Sequence, residues 1–229
     1  MITIFGDSHV SAISYVKNVT HNLNIQLLGT HGVNWREFEI TETPSCVHVS
    51  SERVPNSTPV DLEIRTGGKY YFSSPLHSAP YFRDQAWQKF CPWKCSAIYP
   101  ELTPVSDALI QTWVESTMRC RTNLLERLLE KQIDISIIEP PKPLMRVPSY
   151  KNIKPEVVLE VDQLVRGFVF SLLQRKGIPV IQAPKETIQN GFTKEEFSAP
   201  SQKDGHHGST GYYELLLRKI IEDCQNKRG

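Results

Sequence analysis

Gly6-Asp7-Ser8-His9 near the start of the chain and Asp204-Gly205-His206-His207 near its end hold the residue types of an activated nucleophile. A serine hydroxyl attacks an acyl carbon well only when a base takes its proton. Imidazole titrates near neutral pH, which makes His207 the candidate base. A carboxylate on the other ring nitrogen fixes the tautomer and stabilises the imidazolium, and Asp204 stands three residues before His207 for that role. His206 breaks that spacing and reads as a neighbour. The order Ser, Asp, His is one of several that reach the same geometry, and the chain has no Gly-x-Ser-x-Gly elbow. The developing oxyanion needs fixed donors, for which the amides of Ser8 and Gly32 are candidates, with Gly29 as the alternative to Gly32. Each half alone has a plainer reading: a serine after Gly-Asp is a helix cap, and Asp-x-x-His is a common tetrapeptide.

Elements that must position these residues are readable from periodicity. Ile2–Phe5, Asn24–Leu28, Lys69–Phe72, Ile133–Ile138 and Ile178–Ile181 read as strands. Val157, Val161, Leu164, Val165, Phe168 and Leu172 trace one helical stripe; Leu109, Trp113, Cys120, Leu124 and Leu128 trace another. A last helix carries Tyr212, Leu216 and Ile220. Alternation of strand and helix predicts a mostly parallel sheet covered on both faces, with the site off the carboxyl ends of its strands. Gly6–His9, Gly29–Gly32, Ser73–His77 and Glu139–Pro143 all follow a strand and are expected to gather there. Residues 41–66 and 75–103 fit this scheme poorly and read as long insertions over the site. Aromatics between Tyr81 and Trp93 would stack on a sugar or close a small core.

The 229 residues suit one domain spanning 1–229. A formal net charge of +1 argues against a nucleic-acid footprint. No apolar run approaches the ~20 residues of a membrane span, and the first residues read as a buried strand rather than a signal peptide, so the expected location is cytoplasmic. Five scattered cysteines (Cys46, Cys91, Cys95, Cys120 and Cys224) fit free thiols better than a zinc site.

With strand context around them, Gly6–His9, Gly29-x-x-Gly32 and Asp204–Tyr212 together resemble the three blocks of the GDSL/SGNH hydrolase superfamily. That resemblance covers nearly the whole chain. It implies a three-layer α/β/α flavodoxin-like fold with about five mostly parallel strands. It implies a serine hydrolase, esterase or acetylesterase, that works through an acyl-enzyme with Ser8, Asp204 and His207 as catalytic triad. The substrate would be a small-molecule or glycan ester, and no cofactor or metal would be needed. The family's third strand ends in a segment whose Asn binds the oxyanion; here Tyr71–His77 has no Asn, and His77, Ser73 or Ser74 is the nearest replacement. Asp7, His9, Gly29, Ser74 and His206 are further candidate pocket residues, with Asp7 also able to cap the first helix. Lys142 and Arg146 could meet an anionic substrate or be surface charge.

Three alternatives compete. An acyltransferase acting on a glycan would use the same triad. A binding module would keep the fold without chemistry. A metal phosphoesterase would use Asp7 and His9 as ligands, but the mid-chain Gly-Asn-His such a site needs is missing.

Overall fold

The computed structural model describes residues 2–16, 25–30, 32–51, 59–202 and 204–226. Its main sheet has five parallel strands: β1 (Ile2–Gly6), β2 (Ile25–Gly29), β3 (Lys69–Phe72), β4 (Asp134–Ile138) and β5 (Val180–Ile181). Their spatial order is β2-β1-β3-β4-β5, with Ile4 opposite Leu27 on one side and Tyr71 on the other. This is the flavodoxin-like order, and the side on which successive strands are added switches between β1 and β3, with every strand still parallel. The five expected strands are therefore all present and all parallel; Asn24 lies outside the described residues.

Alternate residues of each strand feed two cores, as a sheet covered on both faces requires. Phe5, Phe72, Ile135 and Ile137 pack under α2 (Asp107–Glu130) and α3 (Pro155–Arg175). Ile4, Tyr71, Ile138 and Ile181 pack under α1 (Ser8–Ile13) and α4 (Thr210–Asn226). The first half of helix α2 buries a face one residue round from the expected stripe. There Ile110, Val114 and Met118 are inside and Leu109 is 61% exposed; further on, Arg121 and Leu125 are buried together with the expected Leu124 and Leu128.

Residues 41–66 are not a structureless loop. Glu39–Thr43, Cys46–Ser50 and Asp61–Arg65 form an antiparallel sheet whose Val47, Val49, Leu62 and Ile64 join the core beneath α2 and α3. All five cysteines are free thiols. Among the described residues, no helix is long and apolar enough to cross a membrane.

Candidate active site

Strand β1 delivers Ser8 to the reversal point of the sheet. Gly6 ends the strand at φ +143°, and a Cβ there would fall 2.3 Å from Ser73 Oγ, so the turn into α1 requires glycine. Asp7 caps α1 by accepting from the His9 amide at 3.1 Å. Its carboxylate also accepts from the Ser73 hydroxyl at 2.9 Å and lies 2.8 Å from His77 Nδ1. Burial opposes the charge of Asp7, but His77, His9 and Ser73 outweigh it and hold the carboxyl far below its ordinary range.

The segment before α4 brings the imidazole. His207 Nε2 is 2.8 Å from Ser8 Oγ, and His207 Nδ1 is 2.8 Å from Asp204 Oδ2. Asp204 Oδ1 accepts from the amides of His206 and His207 at 3.1 and 3.0 Å. Partial burial raises the Asp204 pKa, and the His207 ring and these amides pull it well below normal. Arg146 braces the same segment: Nε donates to the Asp204 carbonyl, Nη2 to the Ala199 carbonyl, and Nη1 pairs with Glu195. Residues 199 apart in sequence thus form one hydrogen-bonded relay.

Three more histidines surround it. His9 is 3% exposed, lying behind the relay rather than lining a pocket or facing solvent. Tyr213 Oη lies 2.9 Å from its Nδ1 while accepting from the Gly208 amide at 3.3 Å. The hydroxyl thus fixes the position of the His9 ring through Nδ1, while Nε2 is buried with no hydrogen-bond partner among the described residues. Burial pushes the His9 pKa well below normal, so the neutral form is the relevant one. The rings of His77 and His206 stack at 5.3 Å, and His206 Nδ1 receives Arg83 Nη1 at 2.8 Å. Burial, then His207, His77 and Arg83, hold the His206 pKa down to about 2.

His9, His77 and His206 present nitrogens within 4.8 Å of one another, as do the ligand atoms of Asp204, His206 and His207. The first trio is close enough for its imidazoles to converge on one ion. Arg83 on His206 sets a positive charge beside it, which works against a cation there.

No protein-family model matches the sequence, and no curated protein does. Among solved structures, a GDSL-like lipase from Bacteroides thetaiotaomicron superposes with a TM-score of 0.52 at 11% identity. That match covers 100% of this chain and 88% of the lipase. The chain has the GDSL-lipase fold. An acetyl xylan esterase matches at a TM-score of 0.47 and 9% identity, over 97% of this chain and 99% of the esterase.

Within this fold Ser8, His77 and His206 line a cavity of about 680 Å³. The other proposed pocket residues sit elsewhere. Asp7 and His9 are buried beneath it, and Ser74 is buried in the 3₁₀ turn Ser74–Leu76. Gly29 ends β2, where an added Cβ would meet Ser11 N at 2.5 Å, so it is a packing glycine. Gly32 opens the 3₁₀ turn that follows β2; His31 between them lies outside the described residues. The Ser73 hydroxyl is committed to Asp7, which removes it as a replacement for the family Asn. Lys142 pairs with Glu139 at 2.8 Å, and with Arg146 bracing the Asp204 segment, neither cation lines the cavity. Glu139 does not line it either; it is buried against Arg166 at 3.1 Å.

Sequence reasoning missed Arg83, Arg121, Trp113 and Tyr213. A charge at 121 on the buried stripe of α2 was the available signal for Arg121, and a shift of one residue in that stripe hid it.

Proposed function

We propose that the protein is an esterase-type serine hydrolase. Ser8 Oγ attacks an acyl carbonyl while His207 Nε2 takes its proton, forming a bond from Oγ to the acyl carbon. His207 then returns the proton to the departing alkoxide as the ester C–O bond breaks, leaving an acyl-serine. Water, or a sugar hydroxyl if the protein is a transferase, attacks that acyl group with its proton passing to His207, and Ser8 is restored. Asp204 keeps the His207 proton on Nδ1 throughout. No cofactor takes part.

Oxyanion donors are assigned as the Ser8 amide, the Gly32 amide and His77. The Ser8 amide, first in α1, makes no hydrogen bond among the described residues and is open to a substrate oxygen. His77 Nε2 is a buried nitrogen with no partner, on a ring whose Nδ1 is fixed by Asp7. It stands in for the family Asn when it carries a proton.

The observation that carries this reading is the relay from Ser8 Oγ through His207 to Asp204, with both links at 2.8 Å. The experiment is p-nitrophenyl acetate turnover by the parent, Ser8→Ala and His207→Ala proteins, with fluorophosphonate labelling of the parent. Turnover is expected to vanish in both variants with their folds intact, and the label to map to Ser8. Equal activity in either variant would reject the assignment. A carbohydrate acceptor is the proposed alternative to water, tested by whether acetyl-glycan product appears when sugar is added to the reaction.

A further inference from the structure

The cavity beside Ser8 carries an unbalanced charge. Arg36, Arg83 and Arg121 line it against the single carboxylate of Asp84. One oxygen of Asp84 is already accepting from the Ala86 amide at 2.8 Å.

Arg121 is the telling case. It is 6% exposed, yet among the described residues no carboxylate lies within 4 Å of its guanidinium. Its Nε donates to the Trp35 carbonyl at 3.0 Å, and Nη1 approaches Met118 sulfur at 3.0 Å; both partners are neutral. Burial outweighs the Tyr81 hydroxyl and the Asp7 carboxylate, which favour the charge of Arg121, and a buried cation with no carboxylate in contact is costly. Arg83 repeats the pattern. Its Nη1 rests on neutral His206, and its Nε is buried with no partner at all. It has no carboxylate within 4 Å among the described residues either. Two guanidiniums lacking anions thus face the space in front of the proposed nucleophile. Tyr81 and Trp113, in edge contact at 4.9 Å, add aromatic surface to the same walls.

We propose that the missing counter-charge belongs to the substrate: the cavity takes an ester bearing an oxyanionic group, a carboxylate or a phosphate, held by Arg83 and Arg121 while Ser8 reaches the acyl carbon. This deepens the esterase reading and rests on it. The planar guanidinium fork suits both anions, since each offers paired oxygens. A second consequence is selectivity against neutral esters, which would leave Arg121 and the buried Nε of Arg83 without an anion.

The test compares three acetate esters of one phenol framework: 4-acetoxybenzoate, 4-acetoxyphenyl phosphate and neutral 4-acetoxybenzamide. A second pair, p-nitrophenyl hemisuccinate and p-nitrophenyl butyrate, puts the charge on the acyl side. At low salt, kcat/KM for at least one anionic ester is expected to exceed its neutral counterpart tenfold or more. That ratio should fall at least tenfold in Arg83→Gln, with folding checked by circular dichroism, and shrink with added salt. Which anion gains tells carboxylate from phosphate.

The same phenol series, titrated by calorimetry into Ser8→Ala protein, reads binding without chemistry. Tighter binding of an anionic ester there, absent in Arg83→Gln/Ser8→Ala, supports the anion site even if no ester is turned over. In that event the hydrolase reading alone fails. Ser8-dependent turnover with ratios under threefold in both series, and equal calorimetric binding, would overturn the anion site and leave the hydrolase reading standing.

Discussion

Replacing Asp204 by Asn tests whether proton placement, rather than mere proximity, makes the relay work. Asn matches Asp in shape, but only one of its two terminal atoms accepts. The structure dictates which. Oδ1 of Asp204 receives two backbone N–H groups, from His206 and His207, at 3.1 and 3.0 Å. The amide oxygen of Asn must stay there, since an NH₂ would face two donors. Its NH₂ is then aimed at His207 Nδ1, 2.8 Å from the present Oδ2. A donor at that point forces Nδ1 to accept, and the single proton of neutral imidazole moves to Nε2. Nε2 faces Ser8 Oγ at 2.8 Å, so the base becomes a donor and cannot take the hydroxyl proton. Loss of the correct tautomer in such triads costs about 10⁴ in kcat, which is about 5.4 kcal/mol of barrier at ~1.36 kcal/mol per tenfold. Asp204 does not line the cavity, so KM should stay within a few-fold. Single-turnover acylation by p-nitrophenyl acetate measures the rate, and ¹⁵N NMR of the His207 ring reports which nitrogen is protonated. An Asn variant that keeps more than a tenth of parental kcat, with the ring proton moved to Nε2, would refute the role given to His207.

Other outcomes follow from the packing and the charges. Arg166 is buried, with Nε donating to Asp162 at 2.8 Å, Nη1 to Glu139 and the Pro140 carbonyl at 3.1 Å each, and Nη2 to the Pro141 carbonyl. Arg166→Met leaves two buried carboxylates with Lys142 as the one cation on them, beside the neutral Ser78 hydroxyl and Ala183 amide, and urea unfolding should show a loss of about 3–5 kcal/mol; a loss under about 1 kcal/mol would count against the network. Gly29→Ala sets a methyl 2.5 Å from the Ser11 amide nitrogen, so α1 must lift off β2. A fall in both Tm and turnover is expected, and an unchanged Tm would show that the contact yields freely. Acid should destabilise the fold early. His206 and His9 are held neutral when folded, with pKa values below those of the unfolded chain. The unfolded chain therefore takes up protons first as pH falls below ~6.5. Their contribution is complete above that pH and is lost on acidification, by up to about 1.4 kcal/mol per pH unit for each ring. Urea midpoints at pH 7.5, 6 and 5 should decline, and His206→Gln should flatten the decline; a level profile would contradict the burial assigned to these rings.

What the sequence disclosed and what it hid follow from the range of each signal. Short isoleucine-rich runs bounded by turn residues mark strands, and Ile2–Phe5 or Ile133–Ile138 can be recognised without any partner even though Thr3, Asp134 and Ser136 interrupt them. The reversal point follows from strand order, and with it the convergence of the Ser8 and His207 segments. The antiparallel sheet of residues 39–65 was legible in principle. Asp61-Leu62-Glu63-Ile64-Arg65 alternates polar and apolar, and only its two apolar residues are buried. Three prolines and a short period concealed it. Contacts across the fold leave no such local trace. Nothing in Tyr213 announces that its hydroxyl holds the His9 ring in place, 204 residues away. The same holds for Arg121, whose neighbours in sequence are ordinary helix residues and whose missing counter-ion is visible only in three dimensions. A triad can be inferred from a few residues because it needs few residue types at set places. Substrate choice rests on the balance of charge across a cavity assembled from separated segments, so it becomes legible only once those segments are packed together. On this chain that balance is positive, and it favours an anionic ester over a neutral one.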